Sequence, residues 1–205
     1  MRQYVAEVGT RVVELQQQLQ ASEQRNQLQS KLIDSLEARL RQQQGRDPQY
    51  QQKLRDSFFR DLRAHLPLSP IYEVKKDRLV VRVDPVFVFS TSEIGAEGEA
   101  RLSALIPALQ QAIQPLPKGV NWKLHVQGHS DIRQIRGNAR FASNWELSAA
   151  RAVAFLQMLR RGGIDEQHLY ASGLAATRLA ATGDSKADHR KNRRIEIHLE
   201  FSSNS

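Results

Sequence analysis

Several features are scarce or missing in this chain of 205 residues. It contains no cysteine, so disulfide bonds and thiolate metal sites are excluded, although this absence does not identify a cellular compartment. No run of apolar residues approaches the roughly 18 that cross a bilayer, and the first residues, Met1 to Tyr4, lack the apolar core of a signal peptide. Hydrophobic residues make up 40% and charged residues 25% of the chain, which suffices for a packed core.

The patterns of common catalytic and metal sites are also missing. The six histidines show no His-Glu-x-x-His or other ligand spacing, and no Gly-x-Ser-x-Gly nucleophile elbow occurs. His129, Ser130 and Asp131 follow one another at the end of a predicted strand, so their side chains point in different directions and form no triad. His125 and His198 lie on predicted strands and are interpreted as structural residues. We therefore expect no enzymatic activity, no cofactor and no metal site.

The net charge of +8 favours a polyanionic partner, such as nucleic acid, anionic lipid or a cell wall rich in carboxylates. No recognised nucleic-acid-binding motif or aromatic platform accompanies this charge. Nucleic acid is therefore not expected as the partner. A basic module that binds nucleic acid or another polyanion stays as the alternative function.

Residues 1–44 are rich in glutamine and carry a heptad pattern. Eight of eleven consecutive core positions are apolar, namely Val5, Val8, Val12, Leu15, Leu19, Ile33, Leu36 and Leu40. Asn26 falls at a core a position, where a buried amide favours two strands in one register. The pattern predicts a helix that forms a parallel coiled-coil dimer. A lone amphipathic helix is the alternative, because Gly9 and the polar middle weaken the pattern.

Residues 45–77 are predicted to form a second helix and a linker. Gly45-Arg-Asp-Pro48 ends the first helix. The second helix has apolar residues at a spacing of four, at Tyr50, Leu54, Phe58 and Leu62, and Pro67-Leu-Ser-Pro70 reads as a turn or linker. This helix is expected to pack on the following domain or to extend the dimer contact.

Predicted strands and helices alternate in residues 78–205. The predicted strands are 78–83, 122–128, 169–172 and 194–201. One helix is predicted at 99–113, where Pro107 would kink or end it unless it lies near a boundary, and another begins at Ser143 or Asn144. Residues 174–189 are predicted to be mostly loop. This order predicts an α/β sandwich with a mixed sheet and helices on one face.

Polar groups collect where the strand 122–128 ends and the helix after residue 143 begins. The strand ends in the sequence Val126-Gln-Gly-His-Ser-Asp131, so the carboxylate of Asp131 lies just beyond it. The helix begins with Asn144-Trp-Glu-Leu-Ser-Ala-Ala-Arg-Ala152, and the guanidinium of Arg151 projects from it. The two charged groups can hold a ligand that carries both an ammonium and a carboxylate. An internal ion pair or cap is the alternative.

These two motifs and Lys191-Asn-Arg-Arg-Ile-Glu-Ile197 resemble the OmpA-like peptidoglycan-binding domain. The sequence of residues 143–151 is most similar to that of the MotB-type stator branch of the family. The resemblance covers about residues 78–201 and implies an OmpA-like two-layer sandwich, preceded here by the N-terminal coiled coil. Residues 78–205 are therefore predicted to be the peptidoglycan-binding domain.

The resemblance also implies the ligand and its contacts. Arg151 would take the carboxylate of a diaminopimelate residue in the stem peptide, and Asp131 would lie near its ammonium. The further site residues that it implies are Ser130, Asn144, Asn192 and Arg193. Asn144 would bind the stem peptide or hold the loop, and Arg194 would cover the sheet edge. The usual Asp-x-x-Gly is replaced here by Asp131-Ile-Arg-Gln-Ile-Arg-Gly137.

Location and partners follow from the same resemblance. Peptidoglycan lies outside the cytoplasmic membrane, so we expect a periplasmic chain tethered to the inner membrane. An apolar segment of about 20 residues is expected upstream of Met1. The expected partners are peptidoglycan, a second copy of the chain and an inner-membrane ion-channel protein. A motor stator and a passive wall tether are both compatible with these expectations.

Overall fold

The computed structural model describes residues 2–44, 46–88, 90–135 and 140–202. The side chains of residues 2–10, 12–14, 41, 42, 44 and 85 lie outside the description. The chain divides into two compact units, Met1–Gln44 and Gly45–Ser205. Each unit is described by itself below.

The first unit is one helix, α1 (Arg2–Gln44), so the predicted N-terminal helix is confirmed. The described apolar residues of its heptad stripe, from Leu15 to Leu40, have exposed fractions between 48% and 61%. The side chains of Val5, Val8 and Val12 lie outside the described part. Pairing of this stripe with a second copy stays a prediction. Among the described residues, α1 and every other helix are too short or too polar to span a membrane.

The second unit contains a five-stranded sheet and six further helices among its described residues. The strands are β1 (Tyr72–Val74), β2 (Leu79–Arg82), β3 (Trp122–Gly128), β4 (Leu169–Gly173) and β5 (Arg194–Phe201). The helices are α2 (Pro48–His65), α3 (Val83–Val86), α4 (Ala96–Leu102), α5 (Leu105–Ile113), α6 (Asn144–Arg161) and α7 (Lys186–Asn192). A single turn of 3₁₀ helix, Glu166–His168, precedes β4.

The sheet has the strand order β1-β2-β5-β3-β4. The pair β3–β4 is parallel, whereas β5 runs antiparallel to both β2 and β3, so the sheet is mixed as predicted. Side chains alternate between the two faces of each strand. The apolar face carries Leu124, Val126, Ile195 and Ile197, each with an exposed fraction of 0%, and it packs against α2, α5 and α6 in one core.

The opposite face of the sheet is polar. His125 contacts the carboxylate of Glu200 through Nδ1 at 2.8 Å and the hydroxyl of Ser172 through Nε2 at 2.7 Å. His198 Nε2 lies 3.0 Å from Glu196 Oε2. Both histidines thus have hydrogen-bond partners within the sheet, consistent with the structural role predicted for them.

Helix α2 contributes to the core of the second unit. The side chain of Asp47 accepts a hydrogen bond from Gln49 N and caps the helix, and Pro48 occupies the first turn. Phe58, Phe59 and Leu62 are then buried in the same core as the sheet. Residues 45–77 therefore share a compact unit with residues 78–205. The chain continues into β1, which pairs with β2 and was not predicted.

One prediction for the helices is wrong, and another is incomplete. The single helix expected at 99–113 is two helices, α4 and α5, which break at Ser103 and Ala104. Pro107 lies in the first turn of α5, where its missing N–H costs no helical hydrogen bond. The segment 174–189 is mostly loop as predicted, but its last residues begin α7, which Ser185 caps by accepting a hydrogen bond from Asp188 N.

Candidate functional site

The end of β3 is held from both sides, and this fixes where Asp131 leaves the sheet. His129 N donates to Arg194 O at 2.9 Å on the β5 side, and Ser130 N donates to Ala175 O at 2.9 Å on the β4 side. Leu174 N also donates to the carbonyl of Gly128 at 2.8 Å. Asp131 therefore leaves the sheet at a point that both neighbouring strands determine.

Helix α6 starts at a well-capped end and crosses the sheet closely. Ser143 Oγ accepts from Glu146 N at 3.2 Å, and Glu146 Oε2 accepts from Ala142 N, one residue before the cap, at 2.9 Å, which resembles a capping box. A Cβ atom on Gly128 would collide with the carbonyl of Ser148 on this helix. The glycine therefore permits the short distance between β3 and the turn of α6 that precedes Arg151.

Arg151 is buried, with an exposed fraction of 5%. Its Nε donates to the carbonyl of Thr91 at 2.8 Å, and its guanidinium carbon lies 5.6 Å from the centroid of the Phe87 ring. Among the described residues, no acceptor lies within hydrogen-bond distance of Nη1 or Nη2. The guanidinium is thus fixed along one side and retains donors for a ligand.

The groups around Arg151 change its pKa in opposite directions. Burial lowers its pKa to about 10, and the positive charge of Arg193 acts in the same direction, whereas Asp84 and Asp131 act against it. Arg151 therefore stays charged at neutral pH. A buried charge is stabilised by an anion that enters beside it.

Asp131 is paired with two arginines, and neither of them is Arg151. Its Oδ2 accepts from Arg133 Nη2 at 2.7 Å, from Arg133 Nε at 3.2 Å and from Arg193 Nη1 at 2.6 Å. Its Oδ1 accepts from the backbone N–H of Arg133 at 3.1 Å. Burial works to raise the pKa of Asp131, but the hydrogen bonds from both arginines outweigh it and hold the pKa below the usual carboxyl value.

Arg193 connects Asp131 to a second carboxylate. Its Nη1 donates to Asp131 and its Nη2 to Asp84, which lies in α3. Burial works to lower the pKa of Arg193, but the hydrogen bonds to Asp84 and Asp131 raise it above the usual value. Arg193 therefore holds these two carboxylates at one position beside Arg151.

The other predicted site residues hold loops in place. Asn144 Nδ2 donates to Arg133 O at 2.8 Å and to Asp131 O at 3.3 Å, and Ser130 Oγ donates to Asp131 O at 3.0 Å. Asn192 is 1% exposed, and its amide bonds to the backbone of Ala180 and Ala181 in three hydrogen bonds. In this structure these amide and hydroxyl groups shape the walls around Asp131.

Arg194 lies on the polar face of the sheet. Its guanidinium donates to Glu196 Oε1 at 2.7 Å, to Asn192 O at 3.3 Å and to Arg178 O at 2.9 Å. These contacts place it on the other face of β5 from the core and agree with a structural role in the sheet.

Sequence reasoning missed four contributors to the site, namely Asp84, Phe87, Thr91 and Arg133. Arg133 had a signal, since it belongs to the segment that replaces the usual Asp-x-x-Gly. The other three lie far upstream in the chain and carry no local signal. Among the described residues, no cluster of three or more histidine, aspartate and glutamate side chains could hold a metal ion.

The comparison with protein families identifies the class of this domain. The model of the OmpA family matches residues 86–193, which run from the end of α3 through α4, α5, β3, α6, β4 and α7 to Arg193. This match covers more than half of the chain and includes Asp131, Arg151 and Arg193. The chain belongs to the OmpA family.

Known relatives and solved structures agree with this assignment. Motility protein B of Escherichia coli strain K12 is 31% identical over 145 residues, which cover 69% of this chain and 44% of that protein. The cell wall anchor of the T6SS from Pseudomonas aeruginosa is 28% identical, with a TM-score of 0.55 over 72% of this chain and 99% of that one. The periplasmic domain of Helicobacter pylori MotB is 25% identical, with a TM-score of 0.54 over 65% of this chain and 83% of that one. This chain spans less than half the length of the motility proteins that it matches.

Proposed function

We propose that residues 45–205 bind peptidoglycan non-covalently and anchor an envelope complex to the cell wall. The observation that supports this most directly is the buried guanidinium of Arg151, held through Nε, with acceptor-free terminal nitrogens among the described residues. The family assignment and the likeness to a cell wall anchor point to the same function. The domain acts by binding and catalyses no reaction.

The ligand is the diaminopimelate residue of a peptidoglycan stem peptide. Its side chain ends in an ammonium and a carboxylate on one carbon, and the site offers a guanidinium and a carboxylate. Arg151 takes the ligand carboxylate in charge-assisted hydrogen bonds, and Asp131 takes the ammonium. Each such bond contributes on the order of 1.5–3 kcal/mol. Two or three such hydrogen bonds give reversible binding, which is sufficient for a protein that is anchored to a dense polymer.

Helix α1 pairs with the same helix of a second copy as a parallel coiled coil. Its described heptad residues are half exposed in the single chain, so pairing would bury apolar surface. The predicted coiled coil, residues 5–40, extends about 54 Å at 1.5 Å per residue. Two domains on one dimer would then bind one polymer with a raised effective concentration.

The chain works in the periplasm, tethered to the inner membrane, beside an inner-membrane ion-channel partner. The likeness to Motility protein B and to the periplasmic domain of a MotB supports this proposal. A motor stator would use binding to the cell wall to resist the force that the motor generates. A passive tether would need the binding alone.

Polyanion binding is the second candidate function. Its support is a cavity of about 570 Å³ on the polar face of the sheet. The basic residues that line this cavity are Lys75, Arg78, Arg82, Arg178, Lys191 and Arg194. Binding through such a surface would be strongly salt-dependent and indifferent to Arg151.

Retention on purified sacculi tests the proposal. Wild type should be retained, and Arg151→Ala should be lost at the same folded fraction. Arg160→Ala is the matched control, because it removes a positive charge from the same helix at an exposed ion pair with Glu166. Equal retention of wild type and Arg151→Ala would reject peptidoglycan binding at this site. A gel shift with DNA and RNA in the same buffers tests the polyanion alternative.

A further inference from the structure

We infer that the side chain of Arg133 occupies the place of the ligand ammonium at Asp131 and is displaced when the ligand binds. This inference rests on the proposed peptidoglycan function and names the residue that makes the site require a cationic group. Neither the family assignment nor the sequence motifs assign a role to Arg133.

The first observation is that Oδ2 of Asp131 is fully occupied by the guanidinium groups of Arg133 and Arg193. A carboxylate offers about four lone-pair sites. Here Oδ2 receives Arg133 Nη2, Arg133 Nε and Arg193 Nη1, and Oδ1 receives the backbone N–H of Arg133. Oδ1 keeps one acceptor position, but a ligand ammonium can bind Oδ2 only if one of the guanidinium donors leaves.

The second observation identifies the donor that leaves. The side chain of Arg193 is 20% exposed and also bonds to Asp84, so its departure would break two ion pairs. The side chain of Arg133 is 61% exposed, against 7% for Asp131, and Asp131 is its only ion-pair partner among the described residues. Arg133 is thus the donor that solvent and ligand reach first.

The third observation is that the backbone at residue 133 stays in place when its side chain leaves. The N–H of Arg133 donates to Asp131 Oδ1, and its carbonyl accepts from Asn144 Nδ2 at 2.8 Å. Displacement therefore requires only rotation of one exposed side chain. Asp131 and the loop keep the position that the site needs.

This exchange has a small energetic cost and a clear consequence for specificity. The guanidinium end of this ion pair is exposed to solvent, so we expect its displacement to lower ligand affinity by about two- to fivefold. In return, the buried carboxylate is neutralised when the site is empty. A ligand with an ammonium replaces the guanidinium, whereas a purely anionic ligand leaves Arg133 in place and gains nothing at Asp131.

Binding of the full chain to purified sacculi tests this inference with Arg133→Ala and Arg133→Gln. Both variants should bind about two- to fivefold more tightly than Arg160→Ala, which loses the same charge from an exposed site. Arg133→Lys should stay near wild type, because its ammonium can still cover Asp131. Thermal unfolding of each variant confirms equal folded fractions.

Acetylated sacculi provide the second arm of the experiment. Acetylation removes the positive charge of the free amino groups, so the advantage of Arg133→Ala over Arg160→Ala should disappear. Equal or weaker binding of Arg133→Ala on untreated sacculi would overturn the inference, as would an advantage that survives acetylation. The proposed function fails separately, if wild type and Arg151→Ala are retained equally.

Discussion

Asp131 Oδ2 and Arg193 Nη1 lie 2.6 Å apart, although 62 positions separate the two residues in the chain. Asp131 follows β3, and Arg193 is the last residue before β5. The same guanidinium reaches Asp84, at the beginning of the domain. One side chain therefore ties three distant segments together beside Arg151, and the strand order, with β5 between β2 and β3, makes this possible.

Replacing Arg193 tests how much its ion pairs with Asp131 and Asp84 stabilise the fold. Arg193→Ala would leave Asp84 without this partner and remove one donor from Asp131, and hydrogen bonds to charged groups contribute about 1.5–3 kcal/mol each. Because Arg193 is partly exposed, we expect the free energy of unfolding in urea to fall by about 2 kcal/mol. Arg193→Lys should recover part of this loss, since lysine keeps the charge but cannot span both carboxylates. An unchanged unfolding midpoint for Arg193→Ala would contradict the prediction.

The effect of Arg193 should also depend on pH. The pKa of Asp131 is held below its usual value in the folded chain, so its contribution is present above the unfolded pKa of about 3.9. That contribution is lost as the pH falls from there through the lower folded pKa. The stability difference between wild type and Arg193→Ala should therefore be constant from pH 7 to pH 5 and shrink in more acidic buffer.

Gly128→Ala tests the close approach of β3 and α6. The added Cβ would collide with the carbonyl of Ser148, and backbone cannot rotate away as a side chain can. We expect the free energy of unfolding to fall by about 1–3 kcal/mol. Sacculus retention should also weaken, because Arg151 moves with the helix.

The matched control for this substitution is Gly95→Ala. A Cβ at Gly95 would meet only Val88 Cγ2, at the ordinary contact distance of 3.4 Å. This change, at the N-cap of α4, should lower the free energy of unfolding by less than about 1 kcal/mol. If the two alanine variants were equally stable, the contact between Gly128 and α6 would not limit the packing of this helix.

His129 should make stability pH-dependent in mildly acidic buffer. Burial lowers its pKa to about 4, helped by Arg194, His198 and Arg178, while Glu196 acts against them. The unfolded chain then binds one more proton than the folded chain between pH 6.5 and about 4. The free energy of unfolding should fall across this window as the pH is lowered, by up to about 3 kcal/mol.

A substitution separates His129 from the other titrating groups. His129→Asn cannot titrate, so its unfolding free energy should vary less between pH 6.5 and 4 than that of wild type. His65→Asn, at an exposed position near the end of α2, is the matched control for the substitution itself. Identical slopes for wild type and His129→Asn would exclude His129 as the source.

Sedimentation tests the coiled coil proposed for α1. Residues 1–205 should sediment as a dimer at tens of micromolar, and a chain that starts at Gly45 should be a monomer. The cut must precede α2, because a later start would remove Phe58, Phe59 and Leu62 from the core. The full chain should also bind sacculi about a hundredfold more tightly than the shorter one.

Charge substitutions in the heptad stripe test the same coiled coil without shortening the chain. Ile33→Lys with Leu36→Lys places two charges in the proposed seam and should give a monomer. A Glu23→Lys change lies outside the heptad core positions and should leave the dimer intact. A wild-type monomer at these concentrations would remove the coiled coil from the mechanism.

Local sequence signals predicted much of this fold. Strands β3 and β5 begin and end as predicted, because alternating apolar residues and Gly128 mark them clearly. Helix α6 begins at the predicted cap. Strand β1 was missed because three residues carry too little periodicity, and α7 was missed because a seven-residue helix among small polar residues has no apolar stripe.

The sequence by itself determined the family, the polar strand end at Asp131, the arginine on α6 and the heptad helix. These features depend on residues that are near one another in the chain, so their periods and motifs can be read directly. Only the tertiary structure decided the partners of Asp131 and the support of Arg151. Asp84, Phe87 and Thr91 reach Arg193 or Arg151 because β2 and β5 pair side by side and the loop after α3 returns to α6. Ion pairs and hydrogen bonds need a few ångströms of separation and no particular spacing in the chain, so no local pattern predicts them.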